Sequence, residues 1–170
     1  MSLRIIIVCL VILGCSKTTN QQQPTKPELT QDDVQLQITH SIGEVLDPEA
    51  KSIVASWEEY QKVEEIIGEF YNITTDQALQ KSAELAEATQ QLRDSVRVDR
   101  FLQSDLKMRL NVMNNIALRI NDMNAIAQID PEEISTEVGN LMQLFSSINR
   151  RLNNIVRQEA LEKELQPFNN

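Results

Sequence analysis

Seven apolar residues near the C-terminus, Ile134, Val138, Leu141, Phe145, Ile148, Leu152 and Ile155, recur at alternating steps of four and three. That spacing lands on one stripe only if the chain is helical, where side chains return to the same face about every 3.6 residues. A strand would scatter the same seven over both faces. Composition agrees with the helical answer. Four Gly, five Pro and 4% aromatic residues leave few turns and few strand formers, which excludes an all-β sandwich or barrel. At 41% hydrophobic over 170 residues, the chain can fill one core and is too apolar for wholesale disorder.

The same pattern extends upstream. Val34, Ile38, Ile42 and Val45 step by four, four and three. They predict a short first helix ending between Gly43 and Asp47, with Leu36 out of register. Asp47-Pro48-Glu49 opens a second helix, cap first and proline in the first turn. Its stripe runs Ile53, Val54, Trp57, Tyr60, Val63, Ile67 and Phe70. Asn72 to Asp76 interrupts it and supplies a new cap. A third helix follows through Ala78, Leu79, Ser82, Leu85, Ala86, Thr89, Leu92 and Val96. The register shifts at Arg97-Val98-Asp99, where a tight turn is expected. The fourth helix carries Leu102, Leu106, Leu110, Met113, Ala117, Ile120, Asn124 and Ala127, and Asp130-Pro131-Glu132-Glu133 starts the last. Long helices with short connections pack antiparallel. The expected fold is therefore all-α: an up-down antiparallel bundle of four long helices plus a short N-terminal helix, over residues 31–166, with a tail at 167–170. The alternative joins the third and fourth helices into one rod, and the 97–100 region decides between them.

At the other end of the chain Arg4 precedes an apolar run, Ile5 to Leu13, broken by Cys9 alone. Nine residues are too few to cross a hydrocarbon layer that takes about 20 in helical form, but they suit a secretory signal. The run closes on Ile12-Leu13-Gly14-Cys15, then Ser16 and Lys17. This resembles the lipobox of bacterial lipoproteins. The resemblance implies that residues 1–14 are a signal peptide cut after Gly14, that Cys15 carries a diacylglyceryl group on its sulfur, and that membrane lipid is the first partner. Each buried acyl CH₂ contributes about 0.8 kcal/mol, so several chains anchor firmly. Ser16 in place of an acidic residue points to the outer membrane, with the domain facing the periplasm. Cys9 then leaves with the peptide and Cys15 is capped, which removes thiol catalysis and cysteine-based metal binding. Residues 15–30 hold one apolar residue, Leu29, after the cysteine, and two prolines. They read as a disordered tether reaching about 50 Å extended and nearer about 20 Å as a coil.

Catalytic groups are hard to find. His40 is the single histidine and reads as a surface or packing residue. Glu-x-x-His pairs, Cys-x-x-Cys-His, Gly-x-Ser-x-Gly elbows and Gly-rich phosphate loops are all missing from the sequence. Met108, Met113, Met123 and Met142 sit in or beside apolar stripes, where they fill gaps or, in an alternative reading, line a ligand cavity. Glu58-Glu59, Glu64-Glu65 and Glu132-Glu133 read as solvated faces, although Glu65 and Glu69, one turn apart, could meet a divalent ion. No enzymatic activity, metal or cofactor is expected. Asp94-Ser95-Val96 resembles the short acceptor sequence for protein O-glycosylation in some bacterial envelopes, and Asn72-Ile73-Thr74 has the form of an N-glycosylation acceptor.

Charge is segregated along the chain. Residues 28–90 hold 14 acidic and 3 basic side chains, whereas 91–119 hold 6 basic and 3 acidic. In an up-down bundle Arg93, Arg97, Arg100 and Arg157 fall toward one end, and Glu64, Glu65, Glu69, Asp76, Asp130, Glu132 and Glu133 toward the other. The arginines either complement helix dipoles or dock an anionic group. The net charge of −9 opposes a nucleic-acid partner. The expectation is an envelope lipoprotein whose bundle binds or braces a protein partner, a second copy of the chain included. The alternative is a ligand-sensing or cofactor-carrying bundle.

Overall fold

A computed structural model describes residues 36–96, 101 and 104–165. The expected signal peptide, Cys15 with the expected tether, Val34, the turn expected at 97–99, Leu102 and the tail lie outside the described residues. Most of what is described is helical. In chain order the elements are β1 (Gln37–Thr39), α1 (Pro48–Val54), α2 (Glu58–Phe70), β2 (Asn72–Thr74), α3 (Thr75–Gln80), α4 (Ser82–Asp94), α5 (Ser104–Met123) and α6 (Pro131–Leu165). Among the described residues no helix is long and apolar enough to cross a membrane.

The predicted first helix is not formed. β1 pairs antiparallel with β2, placing Ile38 opposite Ile73, and both side chains are buried. The helical spacing rested on Ile42 and Val45, which instead stand 71% and 61% exposed. An extended backbone turns Ile38 inward and leaves Gln37 and Thr39 outside, the two-residue alternation of a strand. From His40 to Asp47 the chain has no regular structure.

Both proline signals mark helix starts, although the Asp47 side chain makes no cap bond to α1, and two helices break where the periodicity runs on. α1 begins at Pro48 and α6 at Pro131, and the Asp130 carboxylate accepts from the Glu132 amide at 2.9 Å. The second expected helix divides at Ala55–Trp57. The break lets the Trp57 indole reach the Ser95 hydroxyl at 2.8 Å and stack on Phe101 at 5.7 Å. Thr74 caps α3 through a capping box with Gln77. That helix gives way to α4 at Lys81, where the Ser82 hydroxyl bonds back to the Leu79 carbonyl at 2.5 Å. Asn124 and Ala127, expected on the fourth helix, follow the end of α5 and are exposed.

Partner positions show how neighbours run. Ser82 meets Asn121 and Thr89 meets Asn114, so α4 and α5 lie side by side and antiparallel and do not form one rod. Arg109 reaches Ser147 and Arg119 reaches Glu137 at 2.7 Å, an antiparallel register between α5 and α6. Trp57–Ser95 and Lys62–Glu84 set α2 antiparallel to α4. The core lies among these helices, and all seven residues of the C-terminal stripe are buried in it. Tyr60 links the aromatic cluster, with its ring 5.8 Å from Trp57 and 5.9 Å from Phe145.

Candidate functional site

The feature with the most specific chemistry is where the irregular arm, residues 40–47, lies along α6. Ser146, Asn149, Asn153 and Arg157 are spaced three, four and four, which aligns them on one helical face. The Glu44 amide donates to the Ser146 hydroxyl at 2.7 Å. Asn149 Nδ2 donates to the Glu44 carbonyl at 2.9 Å, and Asn153 Nδ2 to the Val45 carbonyl at 2.8 Å. Asn153 Oδ1 accepts from the Asp47 amide at 2.8 Å. Arg157 closes the series with an ion pair to the Asp47 carboxylate at 2.6 Å. The arm therefore advances in the same direction as α6, its backbone read by side-chain amides and a hydroxyl.

Close approach dictates one residue of the arm. A Cβ on Gly43 would stand 2.6 Å from Ser146 Oγ and 2.7 Å from Ser146 Cβ, nearer than atoms in contact can come. At the start of the arm the His40 amide donates to the Tyr71 carbonyl at 2.9 Å. The His40 ring lies against Gly139, where a Cβ would sit 3.4 Å from Cε1. Its Nε2 is buried without a hydrogen-bond partner. The arm contributes little apolar cover, since Leu46 packs on the core only in part and Ile42 and Val45 face water. Each neutral hydrogen bond contributes a net of about 1 kcal/mol, so the ladder supplies most of what holds the arm.

Asn149 connects the ladder to the core. Asn149 is buried, and its Oδ1 accepts from the Tyr60 hydroxyl at 2.6 Å while its Nδ2 serves the arm. Burial pushes the Tyr60 phenol well above its ordinary range, and Glu64 and Tyr71 add to the shift. The arrangement is chemically suited to holding extended backbone and one carboxylate.

The two described members of the expected arginine pole are each engaged within the chain. Arg93 forks onto Asp94 at 2.8 and 3.0 Å, which raises the guanidinium and lowers the carboxyl. Arg157 holds Asp47, and Arg97 and Arg100 lie outside the described residues. Other expected sites are placed as follows. The Ser95 hydroxyl of the O-glycosylation motif is buried, accepts from Trp57 and donates to the Leu92 carbonyl, so it is closed to modification in the folded chain. Asn72 is exposed and accepts from Gln37 Nε2 at 2.8 Å. Glu69 pairs with Lys81, and Glu65 lies 3.9 Å from Lys62. Among the described residues no group of three His, Cys, Asp or Glu side chains is placed to hold a metal. Met113 and Met142 are packed in the core, and Met108 faces water.

Compared with protein-family models, curated proteins and solved structures, this chain matches none. The ladder was not anticipated from the sequence. Its signal is visible in retrospect as Ser146, Asn149 and Asn153, short polar residues of indifferent helix propensity set beside the most regular apolar stripe in the chain.

Proposed function

We propose that the chain is a bacterial lipoprotein, anchored by lipid in the cell envelope, whose helical domain serves as a binding or structural module for a protein partner. The observation that carries this reading is Ile12-Leu13-Gly14-Cys15 at the close of a nine-residue apolar run, followed by a proline-containing polar tether. A domain held by Cys15 and such a tether works within reach of its membrane. We place it on the periplasmic face of the outer membrane, since Ser16 follows the cysteine. The proposed architecture is an up-down bundle of α2, α4, α5 and α6, supported by the opposed directions of each successive pair. Arg93, Arg97 and Arg100 form the proposed docking pole for an anionic group, engaged through forked hydrogen bonds and weakened by salt. Arg157 is assigned to the arm instead.

Replacing Cys15 by Ser tests the reading directly. Fractionation should find Cys15→Ser released from membranes or held as an uncut precursor, with no incorporated lipid label. Unchanged membrane retention, mobility and labelling would overturn it.

A further inference from the structure

We propose that the outward face of α2 is a docking groove for a basic amphipathic helix of a partner protein. The inference deepens the module reading by naming a surface and the chemistry of its partner, and it rests on that reading for the partner being a protein.

Glu58, Gln61, Glu65 and Gly68 are spaced three, four and three along α2, and all four are exposed. That is the spacing by which one helix packs along another. The buried seam of the same helix, Tyr60, Val63, Ile67 and Phe70, repeats it two residues later. Two residues turn a helix by about 200°, so the first seam faces away from the core. Lys51, Val54 and Ala55 of the preceding segment join it to line a trough of about 670 Å³. The trough is open, whereas small-molecule sites enclose most of their ligand. An open trough along a helix suits a second helix.

Nothing within the chain asks for glycine in this trough. Gly68 has no positive φ, and a Cβ there would meet nothing within 4 Å. Glycine inside a helix costs stability relative to alanine. What it provides is room, since a missing side chain lets another group approach the backbone closely. A bulky apolar side chain entering from outside fills that room. Charge decides what surrounds it. Glu58, Glu64 and Glu65 all line the trough. Lys62 is turned to Glu84 at 2.8 Å and stands 3.9 Å from Glu65. Among the described residues Glu58 and Glu64 have no ion pair, and neither does Lys51, the single uncommitted amine of the lining. Three carboxylates against one free amine are complemented by positive charge. The fitting helix therefore carries lysine or arginine beside an apolar stripe.

The test titrates the full-length chain, in non-ionic detergent, against a fluorescent synthetic helix of about four turns bearing a leucine stripe flanked by lysines. A sister peptide carries glutamate in place of lysine. Anisotropy should show binding of the lysine peptide alone, weakened by added salt as exposed charges are screened. Gly68→Leu fills the trough with a better helix former, and Glu58→Gln/Glu64→Gln removes its free carboxylates. Each should weaken binding by at least about tenfold, or about 1.4 kcal/mol. Glu132→Gln/Glu133→Gln, an equal loss of charge on α6, should change nothing. No binding by the native chain would overturn the proposal, as would equal binding by Gly68→Leu or an equal loss in the α6 variant. A dimer of the native chain abolished by Gly68→Leu would assign the trough to a second copy and overturn it too. Should Gly68→Leu not fold by circular dichroism, the two paired glutamine variants decide. Membrane retention through Cys15 does not enter this measurement, so its failure and that of the lipoprotein reading are separable.

Discussion

Phe145 and Arg150 mark the difference between a side chain that holds this protein together and one that rides on it. Phe145 is 4% exposed and stacks on Tyr60, while Arg150, five positions on, faces water. Removing the ring leaves a cavity that close-packed neighbours cannot fill, so Phe145→Ala should cost about 3–5 kcal/mol. Arg150→Ala should stay within about 0.5 kcal/mol. Urea denaturation midpoints check the pair, and comparable midpoints would place the wrong face of α6 inside. Both assignments were readable from spacing alone. Asn149 was not, because its value lies in having Tyr60 on one side and the Glu44 carbonyl on the other. No local pattern announces two partners separated from it by 89 and 105 residues.

At the scale of elements, α2 offers a clean test of intrinsic propensity. Gly68 lies in its last turns, exposed, with nothing within 4 Å of an added Cβ. Glycine in a helix costs about 0.8–1 kcal/mol relative to alanine, and no contact here compensates. Gly68→Ala should therefore raise stability by about that amount, seen as a higher urea midpoint with unchanged slope. A neutral or lower midpoint would show that some neighbour needs the space. Helix starts were legible because a proline preset for the first turn acts locally, even at α1, where the Asp47 side chain makes no cap bond. Helix breaks were not, since Trp57 leaves the helical path to meet Ser95 and Phe101, residues far along the chain. The failure of the first predicted helix has the same origin. Ile38 belongs to a strand because Ile73 waits across from it, and Ile42 and Val45 mimic a stripe that has nothing to pack on.

The molecule as a whole should lose stability at alkaline pH through Tyr60. Its folded phenol is held above the ordinary tyrosine range, first by burial, so the folded state keeps its proton where the unfolded chain gives it up. A group raised in the folded state contributes fully below its unfolded pKa, about 10 for tyrosine, and that contribution falls as pH rises beyond it. Stability measured from pH 9 to 11.5 should decline, and Tyr60→Phe should flatten the decline while lowering stability at neutral pH through the orphaned Asn149. An equally steep decline in Tyr60→Phe would assign the alkaline loss to other groups.

Spacing, capping residues and composition determined by themselves that the chain is helical, where α1 and α6 begin and which face of α6 is buried, because each depends on residues within a turn or two of one another. They also carried the resemblance of Ile12-Leu13-Gly14-Cys15 to a lipobox, which rests on residues adjacent in sequence. Tertiary structure alone decided that residues 37–39 form a strand, that α2 and α4 start anew at Trp57 and Lys81, and that Ser95 is closed off. It alone made a backbone-reading ladder of Ser146, Asn149, Asn153 and Arg157. Those outcomes depend on partners distant in sequence, whose attraction outweighs a local preference of a few tenths of a kcal/mol per residue.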